Sequence, residues 1–251
     1  MRAKPSISAV MPARDAEASL RAAVEALLRA LARACDRYEV LIADAGSTDG
    51  TPALADRLAE EHPEVRAIRP ESAKGFGAAL RAGLAAARLP LVFQVGADGQ
   101  FDPNQVRLLL DRLPDADIVA GHGARPAGPW WRRARAWAGR RLLALVFGVR
   151  VQEWDCPLRL YRRKVFEEVT IGSDGAFAAA EVLIKANVLG YRIEEVPVHA
   201  RADEGAAGLG PGGAGLGPGG AGRGRAGGGP SVLREAVRLL RRPGLPVRRP
   251  A

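Results

Sequence analysis

Cysteine and histidine are scarce here: two cysteines, Cys35 and Cys156, and three histidines in 251 residues. Two thiols build neither a disulfide framework nor a zinc cage, and they read as the reduced thiols of a cytoplasmic protein. Cys156 reads most simply as a small buried hydrophobe. His62, His122 and His199 stand far apart, without metal-ligand spacing. Long apolar runs are also missing. The longest, Leu142 to Val149, contains a glycine and falls far short of the roughly 20 residues that span a bilayer. The N-terminal MRAKPSISAVM has a basic start but too short an apolar run for a signal peptide. These absences exclude a secreted disulfide scaffold, a structural zinc module and an integral membrane protein.

Nucleotide fingerprints are incomplete as well. Lys74-Gly75-Phe76-Gly77 places Gly-x-Gly before a predicted helix, but the third glycine is missing at the right spacing. No acidic ribose partner follows a second strand as the dinucleotide pattern requires, and no Walker lysine follows a glycine-rich loop. Dinucleotide binding therefore ranks low.

Positive charge is plentiful. The net charge of +9 suggests an anionic partner, whether nucleic acid, nucleotide phosphates or acidic lipid. Arginines cluster at Arg132-Arg133-Arg135, Arg140-Arg141, Arg162-Arg163 and Arg241-Arg242. Nucleic acid is the weakest of the three, because no recognised reading module is present and aromatic residues interleave with basic ones in a single segment. A hydrophobic content of 47% with 26% charged residues is that of a soluble globular chain, long enough for one large domain plus a tail.

The stretch around which the chain is organised is Leu91 to Pro103, LVFQVGADGQFDP. Its apolar start predicts a strand buried on both faces. The strand ends in Gly96-Ala97-Asp98-Gly99-Gln100, where a carboxylate and an amide oxygen two residues apart can face one hard cation. Mg²⁺ or Mn²⁺ held by one or two protein oxygens and by substrate phosphates is the usual arrangement. The plainer reading makes Asp98-Gly99 a turn and Asp102-Pro103 the cap of the next helix.

In order, the pattern predicts a strand over Ser6–Met11 stopped by Pro12, a helix over Glu17–Ala34, and a strand over Tyr38–Ala43. A turn-and-cap cluster, Asp44 to Thr51, leads into a helix ending near Glu61. A short strand near Val65–Ile68 and a helix over Ala78–Ala87 precede the central strand. A helix over Pro103–Leu113, a strand over Ile118–Gly121 and a helix over Gly175–Leu189 follow. Such alternation predicts a doubly wound, largely parallel sheet, whose ligands bind beyond the carboxyl ends of the strands. Pro12–Asp15, Asp44–Ser47 and Gly96–Gln100 all follow strands on that side, so a single cleft is expected, with Asp44 and Asp98 in it.

A set of motifs then falls in a telling order: Val10-Met11-Pro12-Ala13, Asp44-x-Gly46-Ser47-Thr48-Asp49-Gly50-Thr51, Lys74-Gly75-Phe76-Gly77-Ala78-Ala79 and Ala97-Asp98-Gly99-Gln100. After them come Asp155-Cys156-Pro157-Leu158-Arg159-Leu160-Tyr161-Arg162, then Glu181, Gly190-Tyr191-Arg192-Ile193 and Glu195-Val196-Pro197-Val198. In this the chain resembles family 2 glycosyltransferases of the GT-A fold, the dolichol-phosphate mannose synthases and polyprenyl-phosphate glycosyltransferases among them. The resemblance implies a single α/β domain over residues 1–204 with a mixed, mostly parallel, Rossmann-like sheet flanked by helices. It implies metal-dependent, inverting transfer of a sugar from a nucleotide-sugar donor to a polyprenyl phosphate.

By the same resemblance Pro12, Ala13, Arg14 and Asp44, with Gly46, Ser47, Lys74, Gly77, Ala97, Asp98 and Arg125, hold the nucleotide sugar. Asp98 and Gln100 hold the divalent metal (Mg²⁺ or Mn²⁺) against the diphosphate. Because a phosphate acceptor is already an anion, cationic positioning matters more than a general base. Arg125, Arg159 and Arg201 are candidates for that work, and Asp155 is a candidate base or orienting group, or else a turn residue. Departures from the family pattern are Ala16 for a glutamate, Ala45 for the second of paired aspartates and Gly96 for the first acid of D-x-D. The alternative reading is therefore a relative that binds nucleotide or lipid without turnover.

Pro129–Arg141 interleaves tryptophans with arginines and reads either as an interfacial amphipathic helix at a membrane or as a basic helix packed on the core. A polyprenyl acceptor favours peripheral contact with the inner face of the cell membrane. Glu181, amid apolar neighbours on a predicted helix, needs a partner if buried, an arginine being expected. Residues 205–230, rich in glycine and proline, predict a flexible linker, and residues 231–251 a basic helix and tail.

Overall fold

The computed structural model describes residues 4–70, 75–123, 151, 153 and 156–200. The proposed linker and C-terminal helix, and the Pro129–Arg141 segment, lie outside them. In chain order the elements are β1 (Ser6–Ala13), α1 (Glu17–Ala34), β2 (Arg37–Asp44), α2 (Thr51–Glu61), β3 (Val65–Ile68), α3 (Phe76–Ala86) and β4 (Leu91–Gln94). Then come α4 (Val106–Arg112), β5 (Ile118–Gly123), β6 (Arg159–Arg162), α5 (Val165–Glu168), α6 (Ala178–Val188) and β7 (Ile193–Val198). The seven strands form one sheet in the order β3-β2-β1-β4-β6-β5-β7. Every pairing is parallel except the two made by β6, which runs against both β4 and β5. The expected mostly parallel, helix-flanked sheet is thus present.

Burial follows the strand period of two. Ile7, Ala9 and Met11 of β1 face a core layer shared with Leu20, Val24, Leu27 and Leu31 of α1. Val10 faces the other way, into a layer shared with Leu80 of α3 and with Val182 and Leu183 of α6. Each such fully buried aliphatic side chain contributes about 1.5–3 kcal/mol, and two-sided burial explains why β1 reads as a continuous apolar run. Cys35 lies in the first layer, where desolvation pushes its thiol up to about 11.

Three expectations need correction. Pro12 does not stop β1, which pairs with β2 through Ala13. The reason is parity: the carbonyl of Val10 points toward β4 and accepts the Val95 N–H, while that of Ala13 points toward β2. Pro12 shares the parity of Val10, so its missing N–H falls on the β4 side, where pairing has already ended at Gln94. The helix expected over Pro103–Leu113 is divided, with 3₁₀ turns at Pro103–Gln105 and Leu113–Asp115 around a short α4. Finally, α3 and α6 begin at Phe76 and Ala178, not Ala78 and Gly175.

Candidate active site

Because β1 lies between β2 and β4, the loops that leave the carboxyl ends of these three strands are neighbours. The β2 loop is built around Asp44. Its Oδ1 accepts the Ser47 hydroxyl at 2.5 Å and the Ser47 N–H at 3.2 Å, and its Oδ2 accepts the Gly46 N–H at 3.3 Å. Gly46 has φ 86°, a conformation that favours glycine and lets the turn fold back on the carboxylate. Asp44 is therefore held in place by its own turn.

The β1 and β2 loops cap each other. Thr51 Oγ1 accepts the Ala16 N–H at 2.8 Å and Asp49 Oδ2 accepts the Glu17 N–H at 3.1 Å, both at the start of α1. In return, Glu17 Oε2 accepts the Gly50 N–H at 2.9 Å and Asp15 Oδ1 accepts the Thr48 N–H at 2.7 Å. Ser47 Oγ also accepts the Asp15 N–H at 3.0 Å. The starts of the two helices are thus tied to each other across the gap between loops, while Asp49 Oδ1 also accepts the Thr51 N–H at 3.0 Å locally. Pro12 and Ala13 are buried at the end of β1, and Arg14 is exposed beside Asp15, 3.7 Å from its carboxylate.

After β4, Ser19 of α1 donates to the Ala97 carbonyl at 2.9 Å and anchors the loop from below. Asp98 Oδ1 accepts the Gln100 N–H at 3.1 Å, and Asp102 caps the next turn through the Asn104 N–H at 3.0 Å. The plain turn-and-cap reading of this stretch is therefore correct as far as it goes. Asp98 is exposed at the rim. The protein crowding its inner side nonetheless desolvates the carboxyl and pushes it above the ordinary aspartate range, partly offset by the Gln100 N–H. Asp98 folds back over Gly96, its Oδ1 standing 3.1 Å from where a Cβ at 96 would lie. It occupies part of the space that a side chain at that position would need.

The end of β7 is delivered to the same loop. Phe101 bridges to Ala200, Gln105 Nε2 donates to the His199 carbonyl at 2.8 Å, and the His199 N–H donates to Gln105 Oε1 at 2.7 Å. Ala200, the last described residue, thus lies against the loop that carries Asp98. Arg201 itself, with Lys74, Arg125 and Asp155, lies outside the described residues.

Gly77 and Arg159, both assigned to the site, are turned away from it. Gly77 is buried, and its missing Cβ would stand 2.0 Å from the Ser173 carbonyl oxygen. The Gly77 N–H donates to the Asp174 carbonyl at 2.8 Å and the Gly75 N–H to the Ala45 carbonyl at 2.9 Å. Those N–H groups hold protein, not phosphate, so Gly77 shapes the wall without offering the ligand a surface. Arg159 is wholly buried, and its Nη1 donates to the Ala179 carbonyl at 2.7 Å. From there it carries no surface for an acceptor phosphate, which corrects its assignment to that work. Beside it the buried Tyr161 hydroxyl donates to Gln94 Oε1 at 3.0 Å, at the last residue of β4. The sequence reading missed this Tyr161–Gln94 bond and the Thr51 and Asp15 caps. The dense Asx and Ser/Thr spacing of residues 44–51 signalled capping, though not across loops.

A hollow of about 360 Å³ lined by Leu28, Tyr38, His62 and Glu64 lies at the amino ends of β2 and β3, away from these groups. The chemistry points to the carboxyl-end loops instead. Among the described residues no three of His, Cys, Asp and Glu converge to hold a metal by themselves. One desolvated carboxylate with a nearby amide suits a hard cation only if a ligand's phosphates complete the shell.

Comparison with known proteins agrees with this geometry. Residues 8–170 match the Glycosyl transferase family 2 model. The chain belongs to glycosyl transferase family 2. Within this family it is 30% identical over 178 residues to the polyprenol monophosphomannose synthase of Mycolicibacterium smegmatis, covering 66% of this chain and 67% of that protein. It is 31% identical to the dolichyl-phosphate hexose transferase of Haloferax volcanii, covering 70% of this chain and 75% of the other. Against a Rhizobium johnstonii dodecaprenyl-phosphate galacturonate synthase, 27% identical, it covers 66% of this chain and spans half the length of the relative. The fold matches glucosyl-3-phosphoglycerate synthase of Mycobacterium tuberculosis, solved with Mn²⁺ and UDP-glucose. The TM-score is 0.61 at 22% identity, covering 79% of this chain and 71% of that one. A further structure of that synthase holds Mg²⁺ and UDP, with TM-score 0.60 and 24% identity over 79% of this chain and 71% of that one. The seven-stranded sheet of this family 2 member is a GT-A fold.

Proposed function

We propose that this family 2 glycosyltransferase moves a sugar from a nucleotide-sugar donor to a polyprenyl phosphate such as a dolichyl or undecaprenyl phosphate, with inversion at the anomeric carbon. The observation that carries the reading is the placement of Asp44 and Asp98 on either side of the end of β1, at the carboxyl edge of the sheet. The names of the relatives supply the acceptor class, and the nucleotide and cation of the structural neighbours supply the donor class. In this reading an acceptor phosphate oxygen forms the new bond to the anomeric carbon as the bond to the nucleoside diphosphate breaks.

Asp44, oriented by Ser47 and Gly46, accepts hydrogen bonds from the nucleoside, with Pro12, Ala13 and Arg14 forming the adjoining wall. Asp98 and Gln100 are the residues that would hold a divalent cation, which when bound would supply positive charge to offset that developing on the leaving diphosphate. Arg125 and Arg201 are assigned to anionic groups of donor and acceptor, and Asp155 to the acceptor side. Among the described residues no helix is long and apolar enough to cross a membrane. The polyprenyl chain of the proposed acceptor is what supports a peripheral encounter at the inner face of the membrane, with Pro129–Arg141 proposed as the contacting segment.

A second reading rests on Ala16, Ala45 and Gly96, which leave Asp98 as the one carboxylate of the Gly96–Gln100 turn: a protein that binds nucleotide or lipid without turnover. One assay separates the two. Purified protein is offered UDP- and GDP-sugars with Mn²⁺ and a short polyprenyl phosphate. Release of nucleoside diphosphate, lost in Asp98→Ala, supports transfer. Mn²⁺-dependent protection against heat without release supports the second reading, and neither result removes both.

A further inference from the structure

Glu181 is a fully buried carboxylate on α6 that the cleft chemistry does not use. Its partner is not the expected arginine. Lys185, one turn on, places Nζ 2.7 Å from Glu181 Oε1 and also donates to the Thr170 carbonyl at 2.5 Å. The Glu181 carboxylate further accepts the Gly172 N–H at 3.0 and 3.1 Å and the Ser173 N–H at 2.8 Å. A buried carboxylate taking charge-assisted bonds from two consecutive amides is a rigid clamp on the turn that carries them.

What that turn touches gives the clamp its meaning. The Asp174 carbonyl accepts the Gly77 N–H, and the Ser173 carbonyl sits where a side chain on Gly77 would stand. From α3, Arg81 donates to the Ile171 carbonyl at 3.2 Å and to Asp174 Oδ1 at 2.7 Å. The same end of α3 reaches the β2 loop, because the Gly75 N–H donates to the carbonyl of Ala45, next to Asp44. The contacts therefore run unbroken from Glu181 through residues 172–174 and Gly75–Gly77 to Ala45.

We propose that Glu181 is a positioning residue for the nucleotide end of the cleft, holding the 172–174 turn against the start of α3 and thereby setting the Ala45–Asp44 turn. The inference rests on the reading of Asp44 as a donor contact. Glu181→Gln retains one acceptor oxygen and the side-chain volume, and Arg81→Gln loosens the same turn from the opposite side, so that a general loss of folding in one is checked against the other. Two measurements are made on the full chain: hydrogen exchange at the amides of Gly75 and Gly77, and affinity for UDP and for GDP in MnCl₂.

In both variants exchange at these amides is expected to accelerate at least tenfold, while amides in the middle of β1 stay unchanged. Nucleotide Kd and donor KM rise about three- to tenfold with kcat within twofold, and the double variant is no worse than the weaker single one because both act on one path. Unchanged exchange at Gly75 and Gly77 overturns the mechanical link whatever the protein binds. Faster exchange with an unaltered Kd overturns the functional half. If the wild type binds neither nucleotide, the reading of the cleft fails, while the exchange result still decides the link.

Discussion

The reciprocal capping of the β1 and β2 loops can be tested at Thr51. Its side chain has no solvent exposure, its Oγ1 accepts the Ala16 N–H at 2.8 Å, and its hydroxyl bonds Asp49. Thr51→Val keeps the shape and removes both interactions. The dominant loss is a half-buried amide left without an acceptor, which costs about 1–3 kcal/mol. The weakened hold of Asp49 on the Glu17 N–H adds little, because that bond is exposed. At about 2–4 °C per kcal/mol for a domain of this size, the melting temperature should fall by roughly 3–10 °C. Thr51→Ser keeps the oxygen and should lose less than half as much. Thermal denaturation followed by circular dichroism reads both variants directly. The reasoning is refuted if Thr51→Val melts with the wild type, or if serine and valine are equally damaging. The second outcome would make the methyl group, not the hydrogen bond, the source of stability.

Other outcomes follow from the same structure. Asp98→Ala should abolish the Mn²⁺-dependent part of thermal protection by UDP or GDP while leaving the unliganded melting temperature within about 2 °C, since an exposed side chain contributes little. Burial drives the Glu181 carboxyl upward, but Lys185, the Ser173 hydroxyl and the Ser173 N–H together hold it below the ordinary glutamate range. A depressed folded value means the unfolded chain takes up the proton first. The stability Glu181 supplies is thus full above its unfolded pKa of about 4.3 and drains as pH falls through the folded value. Urea midpoints between pH 6 and pH 3 should therefore drop less steeply in Glu181→Gln than in the wild type. Cys35, with its thiol pushed up to about 11 by burial, should resist iodoacetamide at pH 8 in the native state and react readily in urea. Fast native labelling of that residue would contradict its packing.

Much of this architecture was legible before any coordinates. The period of apolar residues in Glu17–Ala34 located α1 to the residue, and a strand expected near Val65–Ile68 is β3. Both are governed by local pattern. Pro12 misled because its effect depends on which neighbour its nitrogen faces, a property of the sheet and not of the strand. That Asp44 and Asp98 sit on neighbouring loops was readable because carboxyl-end loops share one side of a parallel sheet. The inward burial of Arg159 and the packing role of Gly77 were not, since both depend on the approach of α6 and the turn before it, distant in sequence. Lysine rather than arginine pairs with Glu181 because the one cation a helical turn away already reaches it.

The single reversed strand has one more implication. With β6 antiparallel to both neighbours, β5 finishes at Gly123 and β6 starts at Arg159 on the same side of the sheet as Asp44 and Asp98. The chain between those two residues therefore departs from and returns to one edge of the sheet, and at its returning end Cys156 and Leu158 pack into the core while the Leu158 carbonyl accepts the Gly121 N–H at 2.8 Å. A change of length between residues 123 and 156 thus leaves every strand pairing described above in place.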